Sequence, residues 1–334
     1  MNGKLNPIDI VVTWVDGSDP VWMVKKAQHT GVTKTEENTN VRYRDWDTLK
    51  YWFRGIEKFA PWVRYVYFIT DNQKPEWLNI DHPKLKWVKH TDFIPAEYLP
   101  TFNSNTIEWN LHRIKGLSEN FVYFNDDVFL IKETSPEDFF VNGVPCDYPR
   151  ISPISNESYF LHMLVNNYLL MKRHFSVKNS FKQNPLKWLQ AQKPGQLFKI
   201  LMCHSSGLFL RVHNWHIQIS YKKEFFQKLW DEEYEAIHNT CKNKVRTAED
   251  VTSWCVREWQ VLSNNFKFKK PIGKYFATSN ISQNNEAINY ITKQKGKTVC
   301  LNDTELEKNF EQHKQMIVDA FEKLFPEKSF FEMR

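Results

Sequence analysis

Glycine is scarce in this chain, at 10 of 334 residues. No glycine-rich phosphate loop and no GxGxxG pattern occurs, which argues against a P-loop enzyme or a typical dinucleotide binder. The cysteines (Cys146, Cys203, Cys241, Cys255 and Cys300) are odd in number and nowhere spaced as CxxC. They read as reduced thiols of a cytosolic protein rather than a disulfide framework. The N-terminal MNGKLNPIDIVV lacks the apolar run of a secretory signal. No stretch reaches the ~20 apolar residues of a membrane span. The sequons at Asn156, Asn280 and Asn302 are therefore expected to be accidental.

Apolar material is plentiful: 41% of residues are hydrophobic and 15% aromatic, enough for one large α/β core or a core with an insert. The net charge of +6 is uneven. Residues 151–212 hold eight basic residues (Lys172, Arg173, Lys178, Lys182, Lys187, Lys193, Lys199 and Arg211) against one acid, Glu157. No nucleic-acid-binding motif accompanies them. An anionic substrate or peripheral contact with an anionic membrane fits this segment better, since a Lys or Arg near an acidic leaflet contributes roughly 1 kcal/mol. A merely solvated basic insert is the plainer alternative.

The order of elements points to an α/β fold with a mainly parallel sheet. IDIVVTWV (8–15) reads as a buried strand followed by the turn DGSDP. Residues 46–60 predict a helix, with Trp46, Leu49, Phe53, Ile56 and Phe59 on one stripe and Pro61 at its end. Strands are expected at 63–70, 84–90 and 121–130, with a helix at 104–117. Residues 151–212 read as a basic, aromatic helical insert. Helices follow at 221–238, 249–266 and about 304–324. The expected division is a ligand-binding core at 1–150, the insert at 151–212, and the remainder of the core with C-terminal helices at 213–334.

Four stretches carry groups suited to chemistry. In FVYFNDDVFL (121–130), Asn125, Asp126 and Asp127 interrupt an apolar strand. Ligands in open α/β sheets bind beyond the carboxyl ends of strands, and two carboxylates there suit a hard divalent cation. Asp127 is the expected direct ligand, with Asp126 supporting it from behind or contacting the substrate; an Asx-turn is the structural alternative. TWVDGSDP (13–20) offers Asp16 and Asp19 to a ribose or base, and Gly17 for close backbone approach, or is simply a DG turn. RVHNWHIQIS (211–220) sets His213 and His216 three apart, so that one could serve as general base. With no third ligand nearby, zinc is not expected. In KVRTAEDVTSW (244–254), Arg246 could clamp a phosphate, and Glu249 and Asp250 could open the following helix.

Together these stretches resemble the Stealth family of sugar-1-phosphate transferases, which includes bacterial capsular polysaccharide phosphotransferases and the catalytic subunit of the lysosomal-enzyme GlcNAc-1-phosphotransferase. The resemblance covers nearly the whole chain in four blocks: IDIVVTWVDGSDP; RYRDWDTLKYWF through LPTFNSNTIEWNLHRIKGLSENFVYFNDDVF; HNWHIQISYKKEF with KVRTAED; and CLNDTELEKNF to LFPEKSFFE. Relatives often carry His-Met-Pro-His where this chain has His213-Asn214-Trp215-His216. The resemblance implies a glycosyltransferase-A-like, Rossmann-like nucleotide-sugar fold. It implies a UDP-sugar donor, a saccharide or lipid-linked saccharide acceptor, and Mg²⁺ (or Mn²⁺). An acceptor hydroxyl would attack the β-phosphorus and expel UMP. Trp14, Val15, Asp16, Gly17, Asp19 and Asp71 would line the nucleotide. Arg42 and Arg246 would bind phosphate, and Asn103, His112 and Asn125 would contact the sugar. Asp127 and Asp126 would hold the metal; His216, or else His213, would take the proton, with Glu249 among the catalytic candidates. A bacterial cytosolic protein working at the inner membrane face is expected. The rival enzyme reading is a metal-dependent glycosyltransferase of the same fold that releases UDP; a non-catalytic sugar- or lipid-binding module is the other.

Overall fold

The computed structural model describes residues 7–30, 43–154, 160–192, 210–278, 280–303 and 310–333. Its centre is a five-stranded sheet built from β1 (Ile8–Thr13), β2 (Val66–Thr70), β3 (Leu85–Lys89) and β4 (Asn120–Asn125), with the edge strand Ile219–Lys222. The spatial order is Ile219–Lys222, β4, β1, β2, β3. The three central pairings are parallel, and only the edge strand runs antiparallel, against β4. The sheet is therefore mixed and mainly parallel, as the element pattern predicts.

Strand residues alternate between two apolar layers. Ile8, Ile10 and Val12 of β1, with Val122 and Phe124 of β4, face one core that includes the helices Leu49–Phe59 and Phe310–Leu324. Val11, Phe121 and Tyr123 face the other, with the helices Lys223–Glu232 and Trp254–Leu262. The chain winds from β1 through β2 to β3 on one side, then crosses to place β4 on the other side of β1. The strand order thus reverses between β1 and β4, and Thr13 lies opposite Asn125 at their carboxyl ends. Ligands of open α/β sheets bind at such a reversal.

Several expected boundaries move. The apolar run 121–130 is two strands in two sheets: β5 (Val128–Leu130) leaves β4 through Asp126 and Asp127, and pairs with Thr298–Asn302, itself parallel to Gly273–Ala277. The helix from Ser104 stops at Trp109, where Asn110 turns its amide onto the Thr106 carbonyl, 2.8 Å away. Residues 219–222, partly assigned to a helix by periodicity, form the edge strand, and two helices follow, Lys223–Glu232 and Tyr234–Lys242. The helix expected from 249 begins at Trp254. Segment 151–212 is closed at its neck by the antiparallel ribbon Ile151–Pro153 and Leu210–Val212. No described helix is long and apolar enough to cross a membrane.

The C-terminal residues are stapled onto the helix Leu49–Phe59. Arg54 meets Glu332 through Nε–Oε1 at 2.8 Å and Nη2–Oε2 at 2.9 Å, with both residues buried. Removing one partner of a buried pair strands the other charge, at a cost of about 3–5 kcal/mol. Glu332→Ala is expected to lose about that much in urea unfolding; a loss below about 1 kcal/mol would mean that the staple contributes little.

Candidate active site

β1 delivers residues 14–19 to the carboxyl edge of the sheet. The Trp14 N–H extends the parallel pairing by donating to the Ile69 carbonyl at 3.0 Å, and its ring stacks on Phe68. Gln73 braces the loop: its Oε1 accepts from the Asp16 N–H (3.1 Å), and its Nε2 donates to the Asp16 carbonyl and to Asp19 Oδ2, both at 2.9 Å. Asp16 Oδ1 accepts from the backbone N–H (2.8 Å) and hydroxyl (2.6 Å) of Ser18. Asp19 Oδ1 accepts from Val21 N–H at 2.9 Å, capping the helix Pro20–Thr30. These bonds hold the Asp19 carboxyl below its usual range, with Gln73 the largest contributor. Both Asp19 oxygens are thus engaged in shaping the loop. Glycine is required at 17, since a Cβ there would lie 2.2 Å from the Tyr43 carbonyl oxygen.

β4 ends at Asn125, and Asp126 and Asp127 form the turn into β5. The strand has stopped, so the two carboxylates are no longer forced to opposite faces. Burial, then the charge of Asp127, and further Asp45, push the Asp126 carboxyl up to about 7. Burial also raises Asp127, while His216 opposes the rise. Cys300 is brought here by its register opposite Val128, and its Sγ donates to Asp127 Oδ2 at 3.5 Å. Asp127 Oδ1 is buried without a hydrogen-bond partner among the described residues. Ligating atoms of Asp127, His216 and Cys300 lie within 4.8 Å of one another, so a cation could be held here. The orphaned oxygen is what such an ion would satisfy. The third donor, absent from the sequence neighbourhood of the histidines, comes from 84 residues beyond His216 in the chain.

The two histidines separate. Residues 213–218 are a loop rather than a helical turn. His216 takes the left-handed conformation (φ 50°), with its N–H donated to Asn214 Oδ1 at 2.8 Å and its ring against Tyr275 and Trp254. His213 faces arginines instead; burial, then Arg211, Arg150 and Arg257, push it down to about 4 and leave a weak base.

Arg246 donates from Nε to Ser104 Oγ at 3.1 Å and lies close enough to buried Glu108 to oppose the rise that burial causes there. Its loop is fixed by fully buried Asp250, which accepts from Asn103 Nδ2 (2.7 Å), Asn105 Nδ2 (3.1 Å), Asn243 Nδ2 (2.7 Å) and Thr247 Oγ1 (3.0 Å). Asn103 also caps its own helix, so it is a buried scaffold residue and not a sugar contact. His112 is likewise corrected: it is buried against Phe226 and Trp230, and burial pushes it down to about 3. Glu249 is exposed, outside the buried network and ahead of the helix it was expected to open. Asp71 pairs with Lys25 Nζ at 2.6 Å beside a cleft of about 390 Å³. Arg42 lies outside the described residues. Four residues had not been singled out: Cys300 against Asp127, Tyr275 against His216, and the ion pair of Arg44 and Asp303, joined through Nη2–Oδ1 at 2.7 Å. Of these only Asp303, an acid directly after the apolar strand TVCLN, carried a visible signal.

The Asp126 carboxyl sits above its ordinary 3.8, so the folded chain holds more protons than the unfolded one between about pH 4 and 7. Its contribution to stability is therefore present below pH 4 and lost as pH rises through about 7. Metal-free Asp126→Asn is expected to melt above the parent at pH 8 and to lose that advantage at pH 4. Equal melting temperatures at pH 8 would contradict the shift.

The chain matches Stealth protein conserved region 1 over residues 6–28 and conserved region 2 over residues 42–146. It is 40% identical to a capsular polysaccharide phosphotransferase WcwK of Streptococcus pneumoniae, covering 99% of each chain. It is 37% identical to the receptor polysaccharide phosphotransferase WefC of Streptococcus oralis, over 98% of this chain and 100% of that one. The exopolysaccharide phosphotransferase cps2G of Lactiplantibacillus plantarum is also 37% identical, over 97% of this chain and 96% of that one.

Proposed function

The chain belongs to the Stealth family and is a polysaccharide phosphotransferase, and we propose that it moves hexose-1-phosphate from a UDP-sugar to a saccharide hydroxyl, releasing UMP. The observation that carries this reading is the opposition of Thr13 and Asn125. It brings the TWVDGSDP loop and the Asn125–Asp127 turn side by side at the reversal of strand order, where a nucleotide and its diphosphate would meet.

The carboxylates of this turn suit a divalent cation, Mg²⁺ or Mn²⁺, whereas the imidazole and thiol grouped with Asp127 are not ligands that Mg²⁺ takes. Asp127 would hold it through its unpartnered oxygen, with Asp126 as second carboxylate. When bound, the ion neutralises charge on the diphosphate. Cys300 orients Asp127 from behind through its Sγ. Arg246, fixed by the Asp250 network, offers a guanidinium to phosphate oxygens. The acceptor oxygen bonds to the β-phosphorus as the bond from that phosphorus to the bridging oxygen breaks. UMP leaves with the bridging oxygen, and the acceptor proton passes to His216. Positioning and charge neutralisation account for most of the catalysis in such a transfer.

Asp127→Asn is expected to abolish turnover, and so is EDTA; full activity in EDTA would remove the metal from the mechanism. Chromatography of the nucleotide product is expected to give UMP. Release of UDP instead would place the attack at the anomeric carbon and overturn the reading. His216→Ala is expected to slow turnover by ~10²–10⁴ while leaving Mn²⁺ affinity unchanged. The 4.8 Å grouping favours a second reading in which His216 is itself a ligand. Loss of Mn²⁺ affinity in that variant would establish it.

A further inference from the structure

The ribbon at the neck of segment 151–212 has an apolar and a polar face. Ile151 pairs with Val212, and both are buried. The neighbouring pairs are Ser152 with Arg211, and Arg150 with His213, whose N–H donates to the Arg150 carbonyl at 2.7 Å. By strand alternation Arg150, Ser152, Arg211 and His213 share the opposite face. His213 Nδ1 lies 3.4 Å from Ser152 Oγ, as that sharing requires.

Arg211 is the anomaly on this face. Its Nε and Nη1 are shielded from solvent and have no hydrogen-bond partner among the described residues. A buried guanidinium is normally paired, because unsatisfied donors there are costly. Arg257 does not relieve the excess charge. It is already committed to Asp147 (2.8 and 2.7 Å) and to the His213 carbonyl (3.0 Å). Glu258 is the acid whose charge reaches Arg211, but it forms no ion pair with it among the described residues, and burial pushes it up to about 7. The charges of Arg211, Arg150 and Arg257 all reach His213, three residues before His216.

We propose that Arg211, with Ser152 and His213 and the charge of Arg150, forms a second phosphate subsite, distinct from the donor site, that holds a phosphate carried by the acceptor. Guanidinium groups match phosphate geometry through paired N–H donors. The subsite lies at the neck of the basic segment, and His213 opens the loop that bears His216. The assignment to the acceptor rests on the donor reading above; the anion site itself does not.

Inorganic pyrophosphate is the probe, titrated calorimetrically into the full chain with and without saturating UDP. Pyrophosphate is expected to bind in the presence of UDP. Arg211→Met is expected to weaken that binding at least tenfold with UDP affinity unchanged, and Arg211→Lys to restore part of it. Displacement of pyrophosphate by UDP would overturn the proposal. So would an Arg211→Met protein with native circular dichroism that binds pyrophosphate as tightly as the parent. Failure of UDP to bind at all would count against the donor reading alone. Phosphatidylcholine vesicles with and without a polyprenyl phosphate separate the two sources of the group. Arg211-dependent retention on the former assigns a lipid-borne phosphate, and pyrophosphate binding without retention assigns a lipid-free one.

Discussion

Asp126 and Asp127 occupy the two-residue turn between β4 and β5, and burial there opposes the ionisation of both. Nothing in a folded core gains from two adjacent carboxylates in that position, because an unpaired buried charge costs several kcal/mol. The surrounding residues temper the cost without removing it. Cys300 donates to one oxygen of Asp127, His216 lies close enough to favour its charge, and the other oxygen has no partner. The arrangement holds a tension that a cation and a diphosphate would relieve together. The Gln73-braced loop lies beside that turn because Thr13 pairs opposite Asn125.

The fold class was legible because its carriers are local. IDIVV, VYFIT and FVYF are apolar, β-branched or aromatic runs, and the helix Leu49–Phe59 shows its stripe plainly. What was not legible depends on tertiary pairing. Nothing in FVYFNDDVFL says that its halves belong to different sheets, since both are equally apolar. YKKEFF has helical spacing, yet its first residues complete the sheet edge against β4.

The site was legible in part, for the same reason. The acidic turn, His216 and Arg246 stand out as residue types that a core does not need. Cys300 read as one reduced thiol among five, and only strand register brings it to Asp127. Asn103 and His112 were expected to touch the sugar only because the family resemblance implies it; one caps a helix and donates to Asp250, and the other packs against aromatic rings. Arg211 was counted as surface charge in a basic segment. Its unpartnered nitrogens emerge only from the ribbon geometry.

The central claim is that the Asp126–Asp127 turn holds the metal and the donor diphosphate. Anomalous diffraction from crystals soaked with Mn²⁺ and UDP tests it most directly. The account predicts a manganese peak roughly 2.0–2.3 Å from an oxygen of Asp127, with the UDP phosphates on the ion's far side. A peak elsewhere, with the Asp127 oxygen still unpartnered beside bound UDP, would contradict it.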